Sequence, residues 1–378
     1  GIWLSALESE FGWTRTQMSL AFSLGQLEGS LSGPLVGILI DKIGSKQVVL
    51  TGIILVAIGF IFFSFVNNLP NFYISFAIIM LGASMGGWMP MMASLNKWFD
   101  RKRSFAMGIA SSGFSLGGVI LLPILAWSVT PDHVGWQMTA RWIGITFLIV
   151  AWPFSQMIRN RPEDYGEIPD GRKDLDVVAT QPTNSSGADV GLTAREALRT
   201  KAFWYIAIGT GLSSMSIGTL TVHMVISLTD QGLTLQKASF IWATMLGVSW
   251  FAQVIGGYLG DKVQKNLAMA LLSWFQAASL CVVAFATTVP MALIFAVMYG
   301  LGFGARIPLG TAIRGDFFGR RSFATIMGMS TIPMAGLTIL GPTVTGWIYD
   351  THQSYFWAFM GLAVTMAIAG VLFIKATK

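Results

Sequence analysis

Charged residues and turns divide the chain into long apolar runs. Most runs are near 20 residues long, which is the length that an α-helix needs to cross the hydrocarbon core of a bilayer. Their apolar character is continuous, whereas a transmembrane β-strand alternates apolar and polar residues over about ten positions. The pattern therefore predicts an all-α polytopic membrane protein with eleven full spans. The predicted spans cover residues 16–40, 46–67, 71–97, 104–128, 137–158, 200–228, 237–260, 267–288, 291–314, 323–348 and 355–375.

The residues before the first span are also apolar. Gly1 to Leu7 look like the end of a further helix. We therefore expect a twelve-helix protein whose first helix is largely missing from this chain. The opening residues also lack the basic start and the apolar core of a signal peptide.

Composition agrees with a membrane protein. Of the 378 residues, 53% are hydrophobic and 11% are charged, whereas soluble domains carry about 25% charged residues. This amount of charge is too small to cover a water-soluble protein of this size. The surrounding medium is therefore expected to be the lipid bilayer.

The net charge of +6 favours membrane topology rather than a nucleic-acid partner, because its distribution is one-sided. Cytoplasmic loops carry an excess of lysine and arginine, so the basic loops and the C-terminus are expected in the cytoplasm. The expected location is a prokaryotic plasma membrane, the inner membrane. Twenty of the 24 basic residues fall at 41–46, 97–103, 159–201, 262–265, 314–321 and 375–378.

Few residues offer cofactor or catalytic chemistry. The one cysteine, Cys281, lies within an apolar run, which excludes a disulfide framework and a cysteine metal site. The three histidines, His133, His223 and His352, are far apart in sequence and have no ligand spacing. We expect no metal, no cofactor and no enzymatic activity, since no nucleophile–base arrangement is recognisable either.

One long polar segment divides the chain. Residues 159–199 are rich in Pro, Gly, Ser and charges, and they predict a cytoplasmic linker. Thr193 and Glu196 have the spacing of a capping box, which predicts a short helix at the end of the linker. The expected organisation is an N-terminal helical half at 1–158, the linker at 159–199 and a C-terminal helical half at 200–378.

The two halves repeat at an offset of 218 to 220 residues. Such two-half repeats are typical of secondary transporters whose substrate site lies near the bilayer midplane. Four landmarks recur in the same order: Gly37, Asp41 and Lys42 as Gly257, Asp261 and Lys262; Gly82, Gly86 and Pro90 as Gly300, Gly304 and Pro308; Arg103 to Ala106 as Arg321 to Ala324; and Pro123 as Pro342.

The repeated loop identifies a family resemblance. GILIDKIGSK at 37–46, and its weaker copy GYLGDKVQK at 257–265, resemble the loop motif of the major facilitator superfamily. EFGWTRTQMSLAFSL, NKWFDRKRSFAMGIASSGFSLGG and EALRTKAFW look like its monocarboxylate transporter and oxalate–formate exchanger branch. The resemblance implies two six-helix halves with pseudo-twofold symmetry, a monomeric chain, and transport by alternating access.

The loop motif also supplies candidates for a gating latch. Asp41 and Asp261 end their helices at the cytoplasmic side, where a carboxylate can interact with a helix N-terminus and with basic residues. The resemblance implies that these contacts hold the outward-open state; simple solvated charges are the alternative. The expected partners of the first aspartate are Arg101, Lys102 and Arg103, and those of the second are Arg320 and Arg321; Lys42 belongs to the same candidate latch.

Two charges fall inside predicted spans. Glu28 precedes Asp41 by 13 residues, about 20 Å along a helix, and Arg306 precedes Asp316 by ten, about 15 Å. A charge at the bilayer centre costs about 2.5–3.5 kcal/mol on insertion scales, so each should face a cavity or a partner.

Arg306 is the leading candidate for substrate binding. The resemblance implies that helices 1, 4, 7 and 10 line the central cavity, and Arg306 lies on helix 10. Its repeat counterpart is the neutral Trp88, so the charge belongs to one half alone. Arg306 is expected to bind a substrate carboxylate in a bidentate contact. In the alternative, it pairs with Glu28 or helix carbonyls and serves the structure.

Further polar residues near the cavity are weaker candidates. His223 is a candidate for substrate contact and, because the free pKa of histidine suits a proton relay, for coupling; a gate or interfacial residue is the alternative. Glu28 could couple protons or serve as a structural partner. Trp88, Gln26 and Asn96 could also contact substrate, although ordinary interhelical contacts explain the last two equally well.

The chain also departs from its family. Monocarboxylate carriers use an arginine in helix 8 and the oxalate exchanger a lysine in helix 11, but neither helix carries such a residue here. Arg306 would have to substitute from helix 10. The sequence thus predicts a secondary transporter of a small organic anion, proton-coupled or exchanging. The alternatives are an exporter of neutral or lipophilic compounds, with Arg306 structural, and more remotely a sensor or a membrane enzyme.

Overall fold

The computed structural model describes residues 2–130, 132–171 and 191–377. Most of the predicted linker, residues 172–190, lies outside the described residues. The α-helices are α1 (Ile2–Phe11), α2 (Arg15–Ile43), α3 (Ser45–Phe63), α4 (Leu69–Gly86), α5 (Trp88–Trp98), α6 (Arg103–Val129), α7 (Trp136–Met157), α8 (Ala194–Leu198), α9 (Lys201–Asp230), α10 (Leu235–Gly260), α11 (Lys265–Ala284), α12 (Val289–Phe318), α13 (Phe323–His352) and α14 (Phe356–Lys375).

Each predicted span coincides with a long helix, or in one case with the pair α4 and α5. Among the described residues, nine helical segments are long and apolar enough to cross a membrane, with mean hydropathies from 1.2 to 2.2. Such segments satisfy every backbone hydrogen bond internally, as the hydrocarbon core requires. The predicted all-α polytopic class is confirmed.

Local sequence signals explain where several helices begin. Thr14 caps α2 and forms a reciprocal capping box with Gln17. The capping box predicted from Thr193 and Glu196 is confirmed, and it starts the short α8. Gly44 separates α2 from α3 with φ +91°, a backbone conformation that glycine adopts without strain. The glycine of the loop motif therefore makes the tight turn between these two helices.

The chain packs as two compact units. The first comprises Gly1–Trp98, Leu116–Asp189 and Arg321–Met329, and the second comprises Phe99–Ser115, Val190–Arg320 and Ser330–Lys378. Each unit thus contains most of one repeat together with a short segment, 321–329 or 99–115, that belongs to the other repeat. These two segments contain the first turns of α6 and α13, where Asp261 and Asp41 form hydrogen bonds.

Each unit has its own apolar core. In the first unit, Leu7, Phe63, Phe72 and Trp136 are buried together. The core of the second unit contains fully buried residues of α9, α10, α11, α12 and α14, among them Leu220, Met224, Met245, Leu280, Phe295, Tyr299, Phe359 and Met366.

Equivalent helices of the two repeats differ in continuity. The span predicted at 71–97 is broken at Gly87, between α4 and α5. Its counterpart α12 runs unbroken for 30 residues although it contains Pro308. The first repeat has two consecutive glycines at the break, Gly86 and Gly87, and glycine weakens a helix by about 1 kcal/mol relative to alanine.

Candidate functional site

Arg306 lies on α12 in the interior of the second unit. Its side chain is only 7% exposed, and its Nε atom has no hydrogen-bond acceptor among the described residues of that unit. Glycines of α12 let the neighbouring helix α10 approach closely, since a methyl group at Gly300 would meet the carbonyl oxygen of Met245 at 2.6 Å. Tight helix packing therefore surrounds a guanidinium group whose hydrogen-bonding capacity is not filled.

Arg306 has a polar neighbour on its own helix. Tyr299, seven residues earlier, is fully buried and shares a hydrogen bond of 2.9 Å with Ser216 of α9. Tyr299 and Arg306 also interact electrostatically. Tyr299 is not a carboxylate, and no ion pair joins Arg306 to an acid in the described part of this unit.

A second buried arginine lies on the same helix. Arg314 is 5% exposed, and it donates hydrogen bonds to the carbonyl oxygen of Gly310 and, at 3.4 Å, to the hydroxyl of Thr210. The sequence placed Arg314 at the end of the predicted span 291–314 and counted it with the basic residues at 314–321, so its burial was not predicted. The apolar run ends at Arg314, but α12 continues to Phe318 and carries this side chain into the packed interior.

Asp316, the single acidic residue of α12, pairs with cations outside this helix. Asp316 forms ion pairs with Arg103 at 2.5 Å and with Lys265 at 2.7 Å. Arg103 is buried and also pairs with Asp100 at 3.2 Å. Arg103, one of the candidate latch residues, thus has carboxylate partners, whereas Arg306 and Arg314 have none among the described residues of this unit.

His223 joins three helices in the second unit. Its Nε2 atom lies 3.0 Å from the carbonyl oxygen of Pro342, and its Nδ1 atom lies 3.3 Å from the Tyr355 hydroxyl. A carbonyl oxygen only accepts, so Nε2 carries a proton, and in the neutral imidazole Nδ1 then accepts from the tyrosine hydroxyl. Tyr355 stacks on Tyr349, with ring centroids 4.4 Å apart, and Tyr349 is hydrogen-bonded to Asp230.

The remaining predicted residues lie in the first unit. Trp88 begins α5, directly after the break at Gly87. Asn96 is fully buried, and both of its amide atoms lack a hydrogen-bond partner among the described residues. Glu28 is partly exposed on α2, and the side chain of Gln26 lies outside the described residues. The structure therefore places Arg306 and His223 in one unit, and Trp88, Asn96 and Glu28 in the other.

Asp41 caps a helix that is distant in sequence. Its carboxylate accepts hydrogen bonds from the backbone N–H groups of Ala324 at 3.3 Å and Thr325 at 2.8 Å, and from the Thr325 hydroxyl at 2.6 Å. These residues are the second and third of α13, where an N-cap side chain normally acts. Lys97, buried in the same unit, interacts electrostatically with the same carboxylate.

Asp261 does the same in the second unit. Its carboxylate accepts from the N–H groups of Ser104 at 2.7 Å and Phe105 at 3.0 Å, the second and third residues of α6. The sequence linked Asp41 to the basic residues at 101–103 and Asp261 to those at 320–321, and these pairings stay a prediction; the hydrogen bonds give each aspartate a helix N-terminus as partner. The free N–H groups and the positive end of a helix macrodipole attract each carboxylate to a helix start.

Glycines of the loop motif make this capping possible. A methyl group on Gly37 would overlap the carbonyl oxygen of Ala324, and one on Gly257 would meet the carbonyl oxygen of Ser104 at 2.6 Å. The absence of a side chain lets α2 approach α13, and α10 approach α6, closely enough for the aspartates to reach. Of the other candidate latch residues, Lys42, Arg101 and Arg321 are exposed.

One cavity in the first unit is not lined by any of these groups. It has a volume of about 540 Å³ in the first unit and is lined by residues that include Glu10, Phe65, Gln137 and Arg141. Arg141 lies 4.6 Å above the Phe65 ring, as expected for a side chain near the membrane interface. None of the predicted substrate residues lines this cavity.

The fold and these contacts define a polytopic helical membrane protein built from two repeated halves, with one helix cap and buried polar groups in each. The chain belongs to the Major Facilitator Superfamily, whose family profile matches residues 1–251 and 206–378. Its relatives are transporters, and it is a multi-pass member of this transporter family.

Three comparisons describe its similarity to known proteins. The chain is 25% identical to Monocarboxylate transporter 13 of Bos taurus over 384 residues, which cover 98% of this chain and 83% of that protein. It is 25% identical to the Aspyridones efflux protein apdF of Emericella nidulans over 346 residues, covering 90% and 65% of the two chains. The fold matches the E. coli fucose:proton symporter FucP with a TM-score of 0.76 at 14% identity, covering 100% of this chain and 94% of that one.

Proposed function

We propose that this transporter moves a small organic anion across the membrane by alternating access, and that Arg306 binds the carboxylate of that anion. The observation that carries the proposal is the burial of Arg306 in the second unit without a carboxylate partner among its described residues. The similarity to Monocarboxylate transporter 13 supports the same substrate class.

Charge chemistry explains why an anion suits this position. A guanidinium group presents five N–H donors in a planar fork, which matches the two oxygens of a carboxylate. A buried arginine is costly when unpaired, at about 2.5–3.5 kcal/mol on insertion scales. A bound carboxylate neutralises that charge and occupies the unused Nε donor, so part of the cost is recovered as binding energy.

His223 is the proposed proton-coupling group. Its neutral tautomer leaves Nδ1 as an acceptor, and Nδ1 faces the hydroxyl of Tyr355. Protonation of Nδ1 would turn this hydrogen bond around, with the tyrosine hydroxyl free to donate towards Tyr349 and Asp230. Glu28 is a second candidate, since the described residues of its own unit offer it no ion pair or hydrogen bond.

The two aspartate caps are the proposed gating latches. Each consists of hydrogen bonds between a carboxylate and a helix N-terminus, which can break and re-form as the transporter changes state. The one-sided distribution of lysine and arginine supports a cytoplasmic location for these caps and for the C-terminus.

Export of a neutral or lipophilic compound is the second candidate function. It is favoured by the similarity to the Aspyridones efflux protein apdF. In this alternative, Arg306 has a structural role and no anion is bound.

Reconstituted liposomes distinguish the two functions. Uptake of labelled formate, acetate, pyruvate, lactate and oxalate is measured for the wild-type chain, Arg306→Lys and Arg306→Gln, with and without a pH gradient. Arg141→Gln is the matched control, because it removes another arginine from a predicted span. We expect Gln at position 306 to abolish uptake of the accepted anion, Lys to retain a small fraction, and the control to transport normally.

The opposite results identify the rival. If both Arg306 variants transport the accepted anion as fast as the wild-type chain, Arg306 does not bind it. If the wild-type chain transports none of the five anions but extrudes lipophilic dyes, the exporter function is correct.

A further inference from the structure

The second buried arginine of α12 has a charge that its contacts do not neutralise. Arg314 donates to two groups, the Gly310 carbonyl oxygen and the Thr210 hydroxyl, and both are neutral. A guanidinium group carries five N–H donors. The two contacts fix its orientation and leave further donors, together with its full charge, available to a ligand.

Thr210 is arranged to hold this guanidinium group. Its hydroxyl proton is donated to the carbonyl oxygen of Ile206 in its own helix at 2.7 Å. A lone pair of the hydroxyl oxygen therefore points away from α9 and accepts from Arg314. The side chain is positioned between α9 and α12 without being paired to an acid.

The distribution of acids in the second unit supports a binding role. Asp316 is two residues from Arg314, yet it pairs with Arg103 and Lys265. Arg103 and Arg314 are both buried in this unit, and only Arg103 has carboxylates beside it in the described part of the unit. If Arg314 served packing alone, an ion pair with Asp316 would stabilise it, yet no such pair is formed.

The spacing relates Arg314 to Arg306. Eight residues separate them, which corresponds to about 12 Å along α12 and a rotation of about 80°. A small carboxylate cannot contact both groups at once at this separation, but it can pass from one to the other. Two cations with no fixed counterion along one helix attract a mobile anion to either position.

We propose that Arg314 and Thr210 form a second binding position for a small carboxylate, two helical turns from Arg306 towards the basic end of α12. The inference rests on the proposed anion transport. The substrate then occupies two successive positions on its path through the second unit. Both guanidinium groups are buried, so the anion reaches them when the transporter changes state.

Binding stoichiometry tests the second position. Acetate, pyruvate and oxalate are titrated by calorimetry into the full chain in detergent, using wild type, Arg306→Gln, Arg314→Gln, the double variant and Arg141→Gln as the control. We expect two anions per chain for the wild type and the control, one for each single variant, and none for the double variant. Arg314→Lys and Thr210→Val retain the charge, and each is expected to weaken the second binding event by about tenfold, so they replace Arg314→Gln if that protein does not fold.

The other outcomes separate the two proposals. A wild-type chain that binds one anion, lost in Arg306→Gln and unchanged in Arg314→Gln, overturns the second position and leaves the proposed function intact. Binding that survives in Arg306→Gln and disappears in Arg314→Gln supports the second position and refutes the role of Arg306. A wild-type chain that binds none of the three probes refutes both.

Discussion

The pair α4 and α5 in the first repeat and α12 in the second occupy equivalent sequence positions but carry different chemistry. Both contain the glycines and the proline of the repeat. At an offset of 218, Gly87 corresponds to Ala305, Trp88 to Arg306 and Asn96 to Arg314. The first repeat has a helix break and neutral side chains where the second has a continuous helix and two buried cations.

This difference shows how duplicated halves divide their roles. Glycines and proline set close packing and helix geometry, so they are retained in both repeats. The groups that bind a substrate need to be present in only one repeat. A buried polar residue without its repeat counterpart is therefore a better guide to function than any residue that both halves share.

Exchange of the two unlike residues is expected to have the largest effect. The double variant Trp88→Arg with Arg306→Trp moves the guanidinium group from one repeat to the other. Because charged hydrogen bonds contribute about 1.5–3 kcal/mol, we expect kcat/KM for the accepted anion to fall by roughly a hundredfold in liposomes. Transport at the wild-type rate would show that the two positions are interchangeable.

The two aspartate caps offer a second comparison. Asp41 accepts three hydrogen bonds and Asp261 accepts two. We expect Asp41→Asn to lower the free energy of unfolding by about 2–3 kcal/mol and Asp261→Asn by about 1–2 kcal/mol. Thermal unfolding in detergent measures both, with the exposed Lys42→Gln as the control. An equal loss of unfolding free energy in the two variants would show that the third hydrogen bond of Asp41 does not add to the stability of its cap.

The third hydrogen bond of Asp41 can be removed by itself. Thr325→Val deletes the hydroxyl that donates to Asp41 at 2.6 Å and retains the backbone N–H. The expected loss is about 1 kcal/mol, which makes the first cap similar in strength to the second. A double-mutant cycle with Asp41→Asn should give a coupling energy of at least about 0.5 kcal/mol; additive losses would show that the hydroxyl contributes independently of the aspartate.

The helix break is expected to give the smallest effect. A methyl group at Gly87 would meet the carbonyl oxygen of Ala83 at 2.6 Å, so Gly87→Ala should favour a continuous helix from α4 into α5. Hydrogen exchange at residues 84–91 should slow severalfold. Ala305→Gly is the reciprocal change and should cost about 1 kcal/mol in α12. Unchanged exchange in Gly87→Ala would place the cause of the break at Pro90.

The helical architecture was predictable because the bilayer restricts what a spanning segment can be. A run near 20 residues without charge has one stable form in lipid, and capping boxes such as that of Thr193 act over three residues. Comparison of the repeats also identified two aspartates that both halves share, Asp41 and Asp261, and one arginine, Arg306, that only the second half has. These signals are local in sequence or depend on comparison of the two halves.

The missed features depend on contacts that no local pattern encodes. The burial of Arg314 was missed because apolar content ends there, whereas α12 continues to Phe318 and Arg314 contacts Thr210 of α9. The helix starts that Asp41 and Asp261 cap were not predicted, because a free helix N-terminus attracts a carboxylate from any distance along the chain. The break at Gly87 depends on one residue in a span that otherwise predicts a continuous helix.

The order of synthesis determines when each of the two aspartate caps can form. Asp261 finds its partners already made, since Ser104 and Phe105 precede it by more than 150 residues. Asp41 must wait for Thr325, which follows it by 284 residues. At about 5–20 residues per second, this delay is roughly 15 to 55 seconds on the ribosome. The cap whose aspartate emerges first therefore closes last, and until then the early membrane intermediate carries an uncapped carboxylate at Asp41.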